Sequence, residues 1–270
     1  MRQSTHEGDI MSLDEILHAA NVAVDETADW LRHADVKMFE QRRKKSGEEV
    51  TQADITIQQI ITERLSYLTP GVPVVGEESQ EHELPSRSYW LIDPIDGTMN
   101  LARGAPYYAV SVAYVQDSKP VVGVVYAPAL NLRRGRIYEN VTTELERGSQ
   151  AKELHKAIVG ITGTGHLNPG SADLVAEIHR HAYRIRMHGS MALDLLGVAE
   201  GWIDACVCLQ PHPWDIAAGI VLALADGNTV LGQNSQTYSW RSPYLIAGSH
   251  DIAIKLRQIV QDNSAALRSG

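Results

Sequence analysis

The stretch Tyr89 to Asn100, YWLIDPIDGTMN, runs an apolar segment straight into two aspartates. Tyr89 to Ile92 reads as a buried strand, and Asp93 and Asp96 stand where it ends. Pro94 between them sets one backbone torsion and removes a hydrogen-bond donor. A rigid kinked loop follows, in which both carboxylates and the Ile95 carbonyl can face one point. Gly97-Thr98 then suits the start of a helix, whose unpaired N–H groups and dipole attract an anion. Taken alone, Asp-Gly is an ordinary turn signal. The weight therefore rests on what surrounds it.

Three other segments place acids at the end of an element: Asp54 in TQADI, Glu77-Glu78 in VVGEES and Asp215 in HPWDIAAG. Each has a plain reading by itself. Gly-Glu-Glu-Ser is a solvated loop, and Trp-Asp before an apolar helix places an N-cap at Asp215. Together they suggest a hard cation, because Mg2+ takes oxygen ligands in a near-octahedral array and usually needs acids from several segments. Metal-binding acids beside an anion-binding helix end point to metal-assisted phosphoryl hydrolysis.

Working outward, Ser12 followed by Glu15 is a capping-box signature that opens a first helix to about His33. Its residues Ile16, Ala19, Ala20, Ala23, Val24 and Thr27 recur on one face. QRRKKSGEE is a charged loop, with a lysine near an anionic substrate as the sharper option. A second helix spans about Ala53 to Tyr67. A hairpin is expected from Tyr107 to Val115 and Val121 to Tyr126, with Asp117 to Pro120 as its turn, and Arg136 to Glu139 adds a strand. Beyond about residue 150 strands and helices alternate: strands at 157–161, 183–187, 203–209 and 244–247, helices at 171–181, 190–200, 214–225 and 251–262. The first half (12–150) is α+β and carries most of the acids. The second (151–270) is α/β and carries Asp215. The halves read as tightly fused, after a polar N-terminal tail at 1–11.

The chain has 270 residues, 44% of them hydrophobic, and a formal net charge of -9. That charge argues against nucleic acid as main ligand and against an anionic membrane. No run is long and apolar enough to cross a bilayer, and the N-terminus lacks a signal-peptide core. A cytoplasmic protein is expected. The two cysteines, Cys206 and Cys208, exclude a disulfide framework and read as small buried residues on one face of a strand.

GEES, WLIDPIDGTMN and PWDIAAG, in that order, resemble the inositol monophosphatase family of Mg2+-dependent, lithium-sensitive phosphatases. The resemblance implies a layered αβαβα sandwich and, usually, a homodimer. It implies that Glu77, Asp93 and the Ile95 carbonyl hold one metal ion, that Asp93, Asp96 and Asp215 hold a second, and that Glu77 helps a third. Thr98, hydrogen-bonded to Asp54, would orient the attacking water and take its proton. The amides of Gly97 and Thr98 would grip the phosphate. Gly189 and Ser190, in RMHGSMALD, match the part that lines the pocket for the alcohol, and His188 could face it.

This sequence departs from that pattern in places. Where inositol phosphatases carry an acid seven positions before the Trp-Asp aspartate, it has Cys208. RIYENVTTELERGSQ lacks the Gly-rich hairpin of many relatives, and Met99 and Leu101 replace the commoner Thr and Phe. The expected substrate is a small polyol, sugar or amino-alcohol phosphate. Two alternatives are a 3'-nucleotidase acting on adenosine 3',5'-bisphosphate, for which Arg184 and Arg186 could meet the second phosphate, and a binding protein with vestigial activity.

Overall fold

The structure is a computed structural model and describes residues 11–43, 49–80, 83–139, 151–164, 171–233 and 238–263. Most of the expected N-terminal tail, the lysines of the charged loop and residues 140–150 lie outside these. In chain order the elements are α1 (Leu13–His33), β1 (Arg42–Arg43), β2 (Glu49–Val50), α2 (Gln52–Leu68), β3 (Val74–Gly76), β4 (Tyr89–Asp96) and α3 (Thr98–Ala102). Then come β5 (Ala109–Gln116), β6 (Lys119–Ala127), β7 (Leu132–Ile137), β8 (Ile158–Thr162), α4 (Ser171–His181), β9 (Arg184–Arg186) and α5 (Met191–Ala199). The last are β10 (Ala205–Leu209), α6 (Pro213–Ala225), β11 (Thr229–Leu231), β12 (Tyr244–Gly248) and α7 (His250–Asp262).

Local chemistry accounts for the helix starts. Ser12 caps α1 with the expected reciprocal bond to Glu15, and Thr51 caps α2 in the same way with Asp54. The periodic face of α1 is the buried one. The strands form two five-stranded sheets, in the orders β3-β4-β5-β6-β7 and β11-β12-β10-β8-β9. In the first only β3 and β4 are parallel, whereas the second joins a parallel β10-β8-β9 set to an antiparallel β12.

Four apolar clusters lie between five layers. One joins α1 and α2 to the outer face of the first sheet, and one joins that sheet's inner face to α5 and α6. A third sits between α5, α6 and the second sheet, and the fourth lies under α4 and α7. This is the expected αβαβα layering. It also explains why α5 and α6 show no amphipathic pattern. Every residue of α5 is buried, and so are nine of the thirteen in α6, because each helix has a sheet on both sides.

Three sequence expectations change. The hairpin turn is tighter than Asp117 to Pro120: only Asp117 and Ser118 turn, both at positive φ, and Lys119 and Pro120 join β6, where a register shift accommodates the proline. The strand expected at Arg136 to Glu139 begins earlier, at Leu132, and ends at Ile137. Arg134 and Arg136 project from it to Glu200 and Asp226, at the C-terminal ends of α5 and α6, so ion pairs tie this edge strand to the middle layer. The third change is β11, which the sequence reading did not contain.

Candidate active site

Four element ends meet at Asp93. Strand β4 delivers Asp93 and Asp96, β3 ends beside Glu77, α2 begins at Asp54, and α6 begins at Asp215. Asp93 is 1% exposed, and its Oδ1 is covered and has no hydrogen-bond partner among the described residues. Burial first, then the nearby charges of Glu77, Asp96, Asp215 and Asp54, push its carboxyl well above the usual range. Of the six acids singled out in the sequence, Glu77, Asp96, Asp215 and Asp54 therefore stand within electrostatic reach of Asp93.

Protein donors hold Asp96, Asp54 and Asp215. Asp96 Oδ2 accepts from Ser190 Oγ at 2.7 Å and from the Ala192 N–H, both at the start of α5. Burial still pushes Asp96 up to about 7 against these bonds. Asp54 Oδ2 accepts from the Thr51 N–H and hydroxyl, at 2.8 and 2.6 Å, and its Oδ1 accepts from Thr98 Oγ1 at 3.0 Å. Burial raises Asp54 as well. Asp215 is not the N-cap of α6. That position is His212, with Pro213 opening the helix, and Asp215 Oδ2 reaches back to accept the His212 N–H at 2.8 Å. Among the described residues no three Asp, Glu, His or Cys side chains already close around one point. The acids surround Asp93 with some of their oxygens turned onto the protein.

Would this set fit a cation? A buried carboxylate oxygen without a donor, among four more acids, is costly as it stands. Its charge balance calls for a hard cation with oxygen ligands. The residues present fit such an ion.

The helix start expected to meet phosphate is formed by Gly97, which caps the short helix α3 at φ 95°. A Cβ there would lie 2.7 Å from the Tyr107 carbonyl, so only glycine fits both the torsion and the space. Thr98 Oγ1 lies 3.0 Å from both Asp54 Oδ1 and the buried Ile95 carbonyl. Its single proton can serve one of them at a time.

The alcohol side is less like the expectation. Gly189 does abut Gly97, with its carbonyl 3.4 Å from where a Cβ would be. Ser190, expected to line the pocket, is fully buried and uses its hydroxyl to donate to Asp96 and to accept the Leu193 N–H. Cys208 is fully buried too, and a hydrogen bond with Cys206, then burial, hold its thiol far above its usual range. Tyr238 packs on the same cluster, its hydroxyl covered and without a partner among the described residues. Residues the sequence reading passed over complete this side. Asn100 donates to the Tyr107 carbonyl at 2.7 Å and to the His188 carbonyl at 2.8 Å, and Asp194 takes His188 Nδ1 at 2.8 Å. The available signal was Asp194 itself, an acid inside the apolar run MALDLLGVA.

Comparison with known proteins agrees with this geometry. The sequence pattern of the inositol monophosphatase family matches residues 12–264. The probable inositol 1-monophosphatase ImpA of Mycobacterium tuberculosis is 31% identical over 230 residues, 81% of this chain and 84% of that protein. A histidinol-phosphatase of the same organism is 34% identical over 188 residues, 66% of this chain and 72% of that one. The solved structure of a Thermotoga maritima IMPase superimposes with a TM-score of 0.79 at 25% identity, covering 94% of this chain and 98% of that chain. A pattern spanning nearly the whole sequence, on a fold of the same layers, means that this chain belongs to the inositol monophosphatase family.

Proposed function

We propose that this phosphomonoesterase is Mg2+-dependent and hydrolyses the phosphate ester of a small polyol, sugar or amino-alcohol. The observation that carries the reading is the unpartnered, fully covered Asp93 Oδ1 with Glu77, Asp96, Asp215 and Asp54 around it. Glu77, Asp93 and the Ile95 carbonyl would hold one Mg2+; Asp93, Asp96 and Asp215 would hold a second, and Glu77 would help a third. Bound there, the ions lower the pKa of water and offset charge on the attacking and leaving oxygens.

The chain's own groups do the rest. Thr98, while donating to Asp54 Oδ1, keeps lone pairs with which to orient water and take its proton. Asp54 is itself held by Thr51, so the Thr98–Asp54 pair is set before substrate arrives. The N–H groups of Gly97 and Thr98, at a helix start with no intrahelical partner, suit the phosphate oxygens. The water oxygen joins phosphorus as the ester P–O bond breaks, the water's proton passes by way of Thr98 to Asp54, and the leaving alkoxide takes a proton from solvent beside Gly189. Lithium sensitivity and a homodimer are the further properties that the family resemblance implies. No described helix is long and apolar enough to cross a membrane.

The alcohol is left open by relatives that include both an inositol monophosphatase and a histidinol-phosphatase. The test is phosphate release from inositol, sugar, histidinol and adenosine 3',5'-bisphosphate esters with Mg2+, with excess EDTA and with Li+. Release that needs Mg2+ and favours a polyol or amino-alcohol ester is expected. Full activity in EDTA would sink the metal reading, and a preference for the bisphosphate would replace the substrate class.

A further inference from the structure

Asp194 and His188 form a second built polar site beside the acid cluster. Asp194 is fully buried within a helix whose other residues are all buried and all apolar or glycine. A buried carboxylate is tolerated only when hydrogen-bonded, and both its oxygens are. Oδ1 faces His188 Nδ1 at 2.8 Å, and Oδ2 takes the Thr162 hydroxyl. The neighbouring strand makes room for it. A Cβ on Gly160 would lie 3.0 Å from both Asp194 Cγ and Oδ1.

The His188 ring is held from three directions. Nδ1 is tied to Asp194, one face lies against Tyr107 with centroids 5.5 Å apart, and Asn100 grips the backbone carbonyls of both ring-bearing residues. The side chain stays 28% exposed, and no described residue bonds to Nε2. An ionised carboxylate only accepts, so Nδ1 carries the proton, and Nε2 of the neutral ring then carries a lone pair. The next residue, Gly189, abuts Gly97 at the phosphate end. A lone pair at that lip repels phosphate oxygens and suits a donor. Cys208, the other wall residue singled out in the sequence, is fully covered and cannot serve.

Resting on the phosphatase reading, we propose that His188 is a specificity-determining residue: its Nε2 accepts a hydrogen bond from a hydroxyl or ammonium group on the alcohol part of the substrate. Asp194 is the positioning residue that sets the tautomer and aims the ring.

The decisive variant is His188→Asn, whose amide nitrogen can keep the tie to Asp194 while Nε2 is lost. With Mg2+, kcat and KM are measured for inositol 1-phosphate and for p-nitrophenyl phosphate, which has no donor. The polyol ester should lose roughly tenfold more kcat/KM than the aryl ester, mainly through KM, as one neutral hydrogen bond predicts. Equal losses for the two esters, or an unchanged ratio, would overturn the proposal. An independent readout is the 15N spectrum of the His188 imidazole: Nε2 should be the unprotonated nitrogen and shift when free inositol or an amino-alcohol is added. A protonated Nε2, or one that none of these alcohols moves, counts against it. If the wild type releases no phosphate from any ester, the phosphatase reading fails instead, and the spectrum still judges His188.

Discussion

Asp93 and Asp194 are both buried aspartates, 1% and 0% exposed, and they behave in opposite ways. Asp194 has a donor on each oxygen, from His188 and Thr162. Asp93 has a bare Oδ1 and four acidic neighbours. Burial is equally complete, so burial does not separate them. Satisfaction does. A carboxylate whose hydrogen bonds close inside the protein contributes to the fold and aims its partner. One left open among like charges stores a cost that a ligand removes.

The largest effect expected from this contrast is at Asp93. Asp93→Asn should lower Mg2+-dependent phosphate release by at least about 10³-fold. The same change should raise the melting temperature of the Mg2+-free protein, because it removes a buried titratable carboxyl crowded by other acids. An active variant, or one destabilised without Mg2+, would break the comparison. Asp194→Ala should do the reverse to stability. It leaves the Thr162 hydroxyl without its partner and opens a cavity beside Gly160, at a cost of about 2–4 kcal/mol by denaturant unfolding. A neutral outcome there would mean that the buried bonds contribute nothing.

The smallest effect, and the one that sharpens the comparison most, is in pH. Asp96 is pushed up to about 7, and Asp93 is raised well above the usual carboxylate range. Raised folded-state values mean that the folded chain holds more protons than the unfolded one. The contribution of these groups to the stability of the Mg2+-free protein is therefore fully present below about pH 4 and is lost as pH climbs toward these values. Between about pH 5 and about pH 8 its melting temperature should fall, and saturating Mg2+ should abolish the fall. A melting temperature that is flat without Mg2+ would show that the acids are not strained.

Much of this site is legible along the chain because its parts are local. Asp93, Pro94, Asp96 and Gly97 lie within five residues, and the apolar run before them declares a strand. Capping boxes at Ser12 and Thr51 mark helix starts within four residues. The alcohol side is not legible in this way. Asn100 reaches His188 across 88 positions, and Ser190 is drawn to Asp96 across 94. No spacing announces such bonds. Asp215 shows the same limit at short range: Trp-Asp before an apolar run looked like a cap, while Pro213 moves the helix start back and leaves the aspartate in its first turn.

What the sequence determined by itself is the order of the main helices and strands, the acid-bearing ends of β4, α2 and α6, and the glycine at position 97. Each follows from a backbone preference or an apolar period acting over a few residues. Only the tertiary structure decided which acids are satisfied. Layering two sheets around α5 and α6 buries Asp93, Asp194, Ser190 and Cys208 together, and brings donors from distant segments to Asp96 (Ser190) and Asp194 (Thr162). Hydrogen-bond satisfaction in a low-dielectric interior is a property of that packing, so the open oxygen of Asp93 and the aimed ring of His188 appear only once the layers are closed.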